Sequence, residues 1–155
     1  MLLSLNRSDD AVLPWMSEEL VESIIRAGDI LEPRSATVNL VIVDDSYIRE
    51  INREFRNLDK PTDVISFSYL DDSSNTALDG EDVGGEVYVS YQTVEKEAKQ
   101  LGVDPGSLFL RVGVHGLLHV IGFDHETDDD AAAMEREEKA ILSRVMGPEE
   151  LETLF

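Results

Sequence analysis

The sequence predicts one α/β (α+β) domain spanning residues 1–155, in which a small four-stranded mixed sheet packs with about five helices. Segments rich in β-branched residues alternate with segments whose apolar residues recur at helical spacing, a pattern typical of this class. The early connections are long enough for parallel crossovers, whereas the connection after Tyr69 allows an antiparallel neighbour. With 155 residues, 42% of them apolar, the chain is long enough to bury a core without cross-links.

The predicted order is strand, helix, strand, helix, strand, loop, strand and then three helices. Residues 13–27 form an amphipathic pattern, and Gly28 is expected to end that helix. Residues 37–43 are rich in β-branched side chains, as in a strand buried on both faces. Asp44-Asp45-Ser46 offers N-cap candidates for a helix over residues 47–57.

In the middle of the chain, the sequence predicts two strands separated by an acidic loop. Residues 62–69 follow Pro61 and have the composition of a strand, and residues 86–89 form a second, shorter one. Between them, residues 71–85 hold five acids and no base, which indicates a solvated loop. Ser90 is a candidate cap for a helix that ends at Gly102.

The last third predicts a buried central helix followed by an amphipathic one. Residues 108–121 are apolar nearly all round, which favours burial. Thr127 and Asp130 resemble a capping box at the start of the last helix. Residues 148–155 are expected to be a short acidic tail. The inward-facing residues of the last helix are predicted to be Met134, Ile141, Leu142 and Val145.

Charge and composition exclude several classes of protein. The chain carries 33 acidic and 13 basic residues, a formal net charge of −20, and no cysteine. Disulfides, thiol nucleophiles and iron–sulfur clusters are therefore excluded, and a cytoplasmic location is expected. The apolar start at residues 1–6 is too short for a signal peptide, and no run is long enough to span a membrane. Because non-specific affinity for nucleic acid comes mainly from cationic side chains, this charge disfavours a general nucleic-acid binder.

All three histidines of the chain lie between positions 115 and 125. His115 and His119 are four residues apart, so their rings project from one face of the predicted central helix. Gly122 stands where that helix must end and can adopt the left-handed conformation that reverses the chain, which brings His125 back. Three imidazoles with an open fourth position predict a catalytic site for one zinc ion rather than a closed structural site. Nickel or another divalent ion also suits imidazole ligands.

The histidine spacing is shared with the metzincin metalloproteases, so the sequence predicts a metzincin-like site. Those enzymes have a glutamate general base after the first histidine, where this chain has Gly116, and this disfavours peptide hydrolysis. Our hypothesis is that Gly116 keeps the space above the metal open for a bulky substrate. For Gly113, close packing is an equally good explanation. Asp124 has three possible roles: orienting a histidine, accepting a proton, or stabilising a turn.

Four cationic residues lie close together before the predicted strand at residues 62–69. Arg49, Arg53, Arg56 and Lys60 span a stripe of about 60° if the helix persists that far. One interpretation is a surface that faces phosphate groups. The other is a solvated helix face on which nearby glutamates neutralise the cations.

Three stretches resemble the YbeY family. The run HGLLHVIGFDH from His115 to His125 is similar to the family signature H-G-x-L-H-x-x-G-[YF]-D-H. The run FRNLDKPTDVISF from Phe55 to Phe67 resembles R-x-x-D-x-P-T-[DN]-V-L-S-F, and GEVYVS at 85–90 resembles the looser G-[DE]-I-x-[IV]-S. The stretches occur in the family's order, and the resemblance extends over about residues 38–146.

The resemblance implies a metal-dependent endoribonuclease that cleaves single-stranded rRNA. Its expected roles are maturation of the 16S rRNA 3′ end and ribosome quality control, with the ribosome or a small-subunit ribosomal protein as partner and with no DNA or membrane. It also implies His115, His119 and His125 as metal ligands and Arg56 as the functional arginine. Asp124 is the candidate proton acceptor. The role of Arg111, near which many relatives have a histidine, is open.

Two alternatives belong to other functional classes. The first is a zinc metallopeptidase of metzincin type that lacks the usual glutamate base. The second is a non-catalytic ribosome assembly factor with a structural metal, which three histidines without a visible fourth ligand disfavour.

Overall fold

A four-stranded sheet organises the protein. The computed structural model describes residues 1–32, 36–69 and 83–155. Strands and helices alternate as far as the third strand, the next described element is a fourth strand, and four helices follow it. In chain order the elements are β1 (Leu2–Arg7), α1 (Glu18–Leu31), β2 (Thr37–Val43), α2 (Asp45–Arg56), β3 (Val64–Ser68), β4 (Val83–Ser90), α3 (Tyr91–Leu101), α4 (Pro105–Val120), α5 (Asp128–Leu142) and α6 (Pro148–Leu154).

The sheet is mixed, as the sequence predicts. Its strand order is β1-β2-β4-β3. β1 pairs with β2 and β2 with β4 in parallel, whereas β3 lies antiparallel to β4 at the edge. The long connections that contain α1 and α2 permit the parallel pairs. Among the described strands, the antiparallel one is therefore β3, which follows Pro61 in the chain.

Helix α4 is the centre of the core. It is buried along most of its length and packs against the sheet and against α1, α3 and α5. Two hydroxyl groups of β3 hold it in register: Ser66 Oγ donates to the carbonyl of Gly116 at 2.9 Å and Ser68 Oγ to that of Val120 at 2.6 Å. This mostly apolar helix is stable here because the sheet and other helices cover most of it, while Arg111, His115 and His119 stay partly exposed.

The helix ends confirm most of the predicted caps. Asp44, Ser90 and Thr127 each accept a hydrogen bond from the backbone N–H three residues later. Gly102 ends α3 in the left-handed conformation, with φ of 69°. These side chains satisfy backbone groups that have no partner within the helix, which is why the caps were readable from the sequence.

The predicted bounds of the first helix are wrong at both ends. α1 begins at Glu18, with Ser17 as its N-cap, and it continues through Gly28 to Leu31. Gly28 is buried, and a Cβ atom built on it would lie 3.4 Å from Sδ of Met1. Gly28 therefore lies inside the helix, packed beside the start of the chain, and does not end α1.

Two further differences concern loops. Residues 148–155 were predicted to be a tail, but 148–154 form α6, in which Leu154 is buried. Pro148 starts this sixth helix, since proline is favoured in a first helical turn. Most of the predicted loop at 71–85 lies outside the described residues, and its last three residues belong to β4. Within the described ranges, no helix has both the length and the apolar composition needed to cross a membrane.

Candidate metal centre

The three histidines converge at the end of α4. His115 and His119 lie on one face of this helix, which ends at Val120. Gly122 follows with φ of 107°, a left-handed conformation that confirms its predicted role in reversing the chain. His125 then lies beside the other two rings, and the candidate ligand nitrogens of the three residues are all within 4.8 Å of one another.

The spacing of these nitrogens fits a divalent cation. Nε2 of His115 and Nε2 of His119 are 3.2 Å apart. Tetrahedral zinc with Zn–N bonds of about 2.0–2.1 Å requires ligand nitrogens about 3.3–3.4 Å apart. Burial lowers the pKa of His119, and the charges of His115 and His125 lower it further, so the ring is held in the neutral form that binds metals. The donor set therefore suits an imidazole-bound metal ion.

Glu138 completes the centre and was not found from the sequence. This residue of α5 is 4% exposed, and its Oε1 contacts Nδ1 of His115. A carboxylate on Nδ1 selects the tautomer whose Nε2 lone pair is available to a metal. A signal was present, because Glu138 lies four residues after Met134 on the inward face of α5.

Arg111 supports Glu138 from the other side. Its Nε lies 3.6 Å from Oε2 of Glu138, and Nη1 donates to the carbonyl of Leu154. The guanidinium also lies 3.8 Å from the ring centroid of Phe155. Arg111 is therefore held between α5 and the end of α6, where it balances the buried charge of Glu138.

A cleft of about 600 Å³ opens in front of the three histidines. Arg56, the last residue of α2, is exposed at the edge of this cleft. Asn57 follows it with φ of 58° and ends the helix. Among the described residues, Arg56 has no carboxylate partner, so its guanidinium is available to a ligand in the cleft.

The predicted cationic stripe is largely neutralised. Arg49 Nε lies 2.8 Å from Oδ1 of Asp59, and Arg53 Nη2 lies 2.7 Å from Oε2 of Glu50. Because α2 ends at Arg56, Lys60 is not on the helix at all. The interpretation as a solvated face with local ion pairs holds for Arg49 and Arg53, whereas Arg56 alone of the four lines the histidine cleft.

Asp124 borders the cleft and is exposed. Its Oδ1 accepts a hydrogen bond from the backbone N–H of His125 at 2.7 Å. This is the turn-stabilising role considered from the sequence, and it fixes the chain just before the third histidine. The acceptor that orients a histidine ring, which Asp124 was also predicted to be, is Glu138 for His115.

The hypothesis that Gly116 opens space above the metal is wrong. Gly116 is buried on the side of α4 that faces the sheet. A Cβ atom there would lie 2.6 Å from Cγ1 of Val87 and 3.0 Å from Cγ2 of Val64. Its role is to let α4 approach β3 and β4 closely. Gly113 likewise permits close packing, in its case against Ile24 of α1.

Comparisons with known proteins agree with this geometry. The family model described as Endoribonuclease YbeY matches residues 5–146. A protein of that name from Rhodospirillum rubrum is 36% identical over 142 residues, which cover 86% of this chain and 71% of that protein. Another from Anaplasma phagocytophilum is 37% identical over 128 residues, which cover 83% of this chain and 79% of that protein.

A solved structure supports the fold. The solution structure of TM1509 from Thermotoga maritima matches with a TM-score of 0.63 at 28% identity, covering 94% of this chain and 89% of that one. These matches do not support the metzincin-like description, which rests on histidine spacing alone. They also do not support the metallopeptidase and the structural-metal alternatives.

Proposed function

The chain belongs to the Endoribonuclease YbeY family, and we propose that it is a metal-dependent endoribonuclease of rRNA processing. The observation that carries the proposal is the convergence on one cleft of three histidines and an arginine, Arg56, that has no carboxylate partner among the described residues. We further propose that residues 1–155 act as one domain that cleaves single-stranded rRNA, with the 16S rRNA 3′ end and defective ribosomes as targets.

In this proposal His115, His119 and His125 hold one zinc ion. The lowered pKa of His119, the spacing of the His115 and His119 nitrogens and the carboxylate on His115 support this ligand set. Another late first-row ion such as Ni²⁺ is the alternative. When bound, such an ion supplies Lewis acidity, which activates water and polarises a phosphoryl oxygen.

Arg56 is proposed to bind the scissile phosphate. Its planar guanidinium can donate two hydrogen bonds to phosphate oxygens and can stabilise the charge that builds up as the diester is attacked. Its position at the edge of the histidine cleft supports this role, as does the absence of a carboxylate partner within the described part of the chain. Arg49 and Arg53 are already held by Asp59 and Glu50, which leaves them out of the proposed site.

Asp124 is proposed to accept a proton in the cleft. One oxygen, Oδ1, is engaged with the backbone of His125, which leaves Oδ2 to face a reactant. The proton comes either from water or from the 2′-hydroxyl group of the RNA. A 2′,3′-cyclic phosphate product would exclude direct attack by water as the first step, so the product ends distinguish the two routes.

The family indicates the class of substrate, which is RNA. The net negative charge of the protein bears on how that RNA reaches the cleft. Because the protein is acidic and Arg56 is the one arginine among the described residues that lines its cleft, we expect it to bind free RNA weakly. We propose that docking to the ribosome, through a basic small-subunit protein, brings the rRNA to the cleft.

The decisive experiment combines metal analysis with an RNA cleavage assay. The purified protein should contain about one zinc ion per chain and should cleave a structured rRNA fragment until a chelator is added. His119→Ala should lose both the metal and the cleavage. Cleavage that survives a chelator would contradict metal dependence, and stoichiometric metal in His119→Ala would contradict the ligand assignment.

A matched pair of variants tests the arginine. Arg56→Ala should lower the cleavage rate by about 10²–10³, the usual cost of removing one transition-state donor. Arg53→Ala, three residues earlier on the same helix, should change it less than about twofold because Arg53 is paired with Glu50. Equal rates for the two variants would remove Arg56 from the mechanism.

A further inference from the structure

A second cavity lies on the other side of the histidine cluster from Arg56. It has a volume of about 440 Å³ and is a slot between α3, α4 and α5. The slot and the cleft share four lining residues, so they meet at the histidines. The shared residues are Asp63, Val64, His115 and His125. An RNA whose scissile phosphate lies between Arg56 and the histidines therefore has a neighbouring nucleotide at the mouth of this slot.

The charges of the slot exclude a phosphate group. Asp63, Glu97 and Glu135 line it, and the one arginine among its described lining residues, Arg111, is paired with Glu138. Burial raises the pKa of Glu97, and the negative charge of Asp63 raises it further, which places these two carboxylates near a common space. Such a space repels anions and favours a neutral group that donates hydrogen bonds.

The walls of the slot suit a flat ring. The apolar part of its lining comes from four elements: Val64 of β3, Leu101 of α3, Leu108 and Val112 of α4, and Ala131 and Met134 of α5. Apolar walls with a few polar groups are typical of small-molecule sites of this size. The combination of apolar walls with carboxylate acceptors matches a nucleobase held by its faces and read at its edge.

We propose that this slot is a base-binding subsite for the nucleotide next to the scissile phosphate, with Glu97 as the hydrogen-bond acceptor. Guanine fits best, because its N1–H and N2 amino group present adjacent donors to a carboxylate. Adenine and cytosine each offer an exocyclic amino group. Uracil is disfavoured because its single N–H lies between two carbonyl oxygens, which a carboxylate repels. This inference rests on the proposed endoribonuclease function.

The test is the base composition at the cut sites of a random single-stranded RNA library. The wild-type protein should favour guanine over uracil at one position beside the cut by about fivefold or more, the scale of one base-edge contact. Glu97→Gln should reduce that preference because the amide no longer repels the uracil oxygens. Glu95→Gln, an exposed residue on the same helix outside the slot, should retain it.

Two variants that add a bulky side chain test the location of the base-binding subsite without changing any charge. Ala131 and Ala132 are both exposed on α5, but only Ala131 lines the slot. Ala131→Phe should flatten the base preference, and Ala132→Phe should keep it. Equal use of the four bases by the wild-type protein, or a preference unchanged in both Glu97→Gln and Ala131→Phe, would overturn the subsite and leave the endoribonuclease function standing.

A binding measurement separates this inference from the proposed function. By NMR, guanosine 5′-monophosphate should shift resonances of α3 and α5 at lower concentration than uridine 5′-monophosphate or ribose 5-phosphate. If no RNA is cleaved but guanosine 5′-monophosphate still binds in this way, the nuclease function fails and the base site stands. If guanosine 5′-monophosphate binds no better than ribose 5-phosphate, the base site is refuted.

Discussion

Glu138 has its two carboxylate oxygens directed at different partners, a histidine ring on one side and the Arg111 guanidinium on the other. A carboxylate that is 4% exposed is costly to bury unless such partners neutralise it. Its position behind His115 gives the ring one orientation and one tautomer. Glu138 is therefore a positioning residue for a bound ion, although it does not contact the open cleft.

This arrangement predicts an effect on metal affinity. Glu138→Gln should weaken zinc binding by about tenfold to a hundredfold, the usual cost of losing an outer carboxylate. Competition with a chromophoric chelator measures the affinity directly, without reference to cleavage. Glu137→Gln, an exposed neighbour on α5, is the control and should bind zinc like the wild type. Equal affinity of the two variants would refute the positioning role.

Sequence patterns located the three clustered histidines better than the partners of these histidines and of the nearby arginines. His115 and His119 were readable because helical spacing places them on one face, and Gly122 because only certain residues take a positive φ readily. The pairing of Glu138 with His115 spans 23 positions and depends on how α5 packs on α4, which periodicity does not encode. The neutralising partner of Arg49 likewise lies ten positions away, beyond the end of α2.

At the scale of elements, the contact between α4 and the sheet determines where the histidines lie. Gly116 faces Val87 and Val64, and the hydroxyl of Ser66 donates to the carbonyl of Gly116. The helix can therefore approach the strands more closely than a side chain at position 116 would allow. This close approach is the physical reason for a glycine in the middle of the buried helix.

Two glycines of α4 provide a matched test of this packing. Gly116→Ala should lower the free energy of unfolding by about 1–2 kcal/mol, because overpacking against a β-branched side chain outweighs the better helix propensity of alanine. Gly113→Ala should cost less, since its new Cβ meets the flexible end of Ile24 at 3.0 Å. Urea denaturation of both variants measures the difference, and equal stabilities would contradict the packing argument.

The predicted elements were most accurate where local chemistry decides the outcome. Asp44, Ser90 and Thr127 cap their helices because each side chain bonds to its own first turn. The prediction that Gly28 ends α1 was wrong because the helix continues to Leu31 and buries Gly28 beside Met1, a tertiary contact that the local sequence does not encode. The last helix, α6, escaped notice because the burial of Leu154 depends on the rest of the fold.

At the scale of the whole molecule, two features weaken the attraction of RNA to the protein. The net charge is −20, and Arg49 and Arg53 of α2 are already paired with carboxylates. Of the predicted cationic stripe, only Arg56 lines the cleft. Few phosphate contacts are therefore available to RNA that arrives without a partner. If the proposed function holds, recognition of free RNA would depend on the metal site, on Arg56 and on contacts with bases.

The salt dependence of RNA binding should be shallow. For single strands, log K falls with log salt by about 0.7 for each phosphate contacted. With one or two contacts, we expect a slope between about −0.7 and −1.4 in anisotropy titrations of the metal-free protein. Arg49→Ala should leave the slope unchanged because Arg49 is already paired with Asp59. A slope steeper than about −3 would show that other cations bind the backbone.

The three histidines lie in parts of the chain that differ in burial and in secondary structure. His115 and His119 belong to the buried helix α4, whereas His125 is exposed and lies between helices, after the reversal at Gly122. Segments of this kind open locally at far lower free energy than a core helix unfolds. An ion held by all three rings would therefore exchange with solution when His125 swings away, while two ligands remain in place. The lifetime of a bound ion would then depend on how often the turn at Gly122 opens, and not on the global stability of the fold.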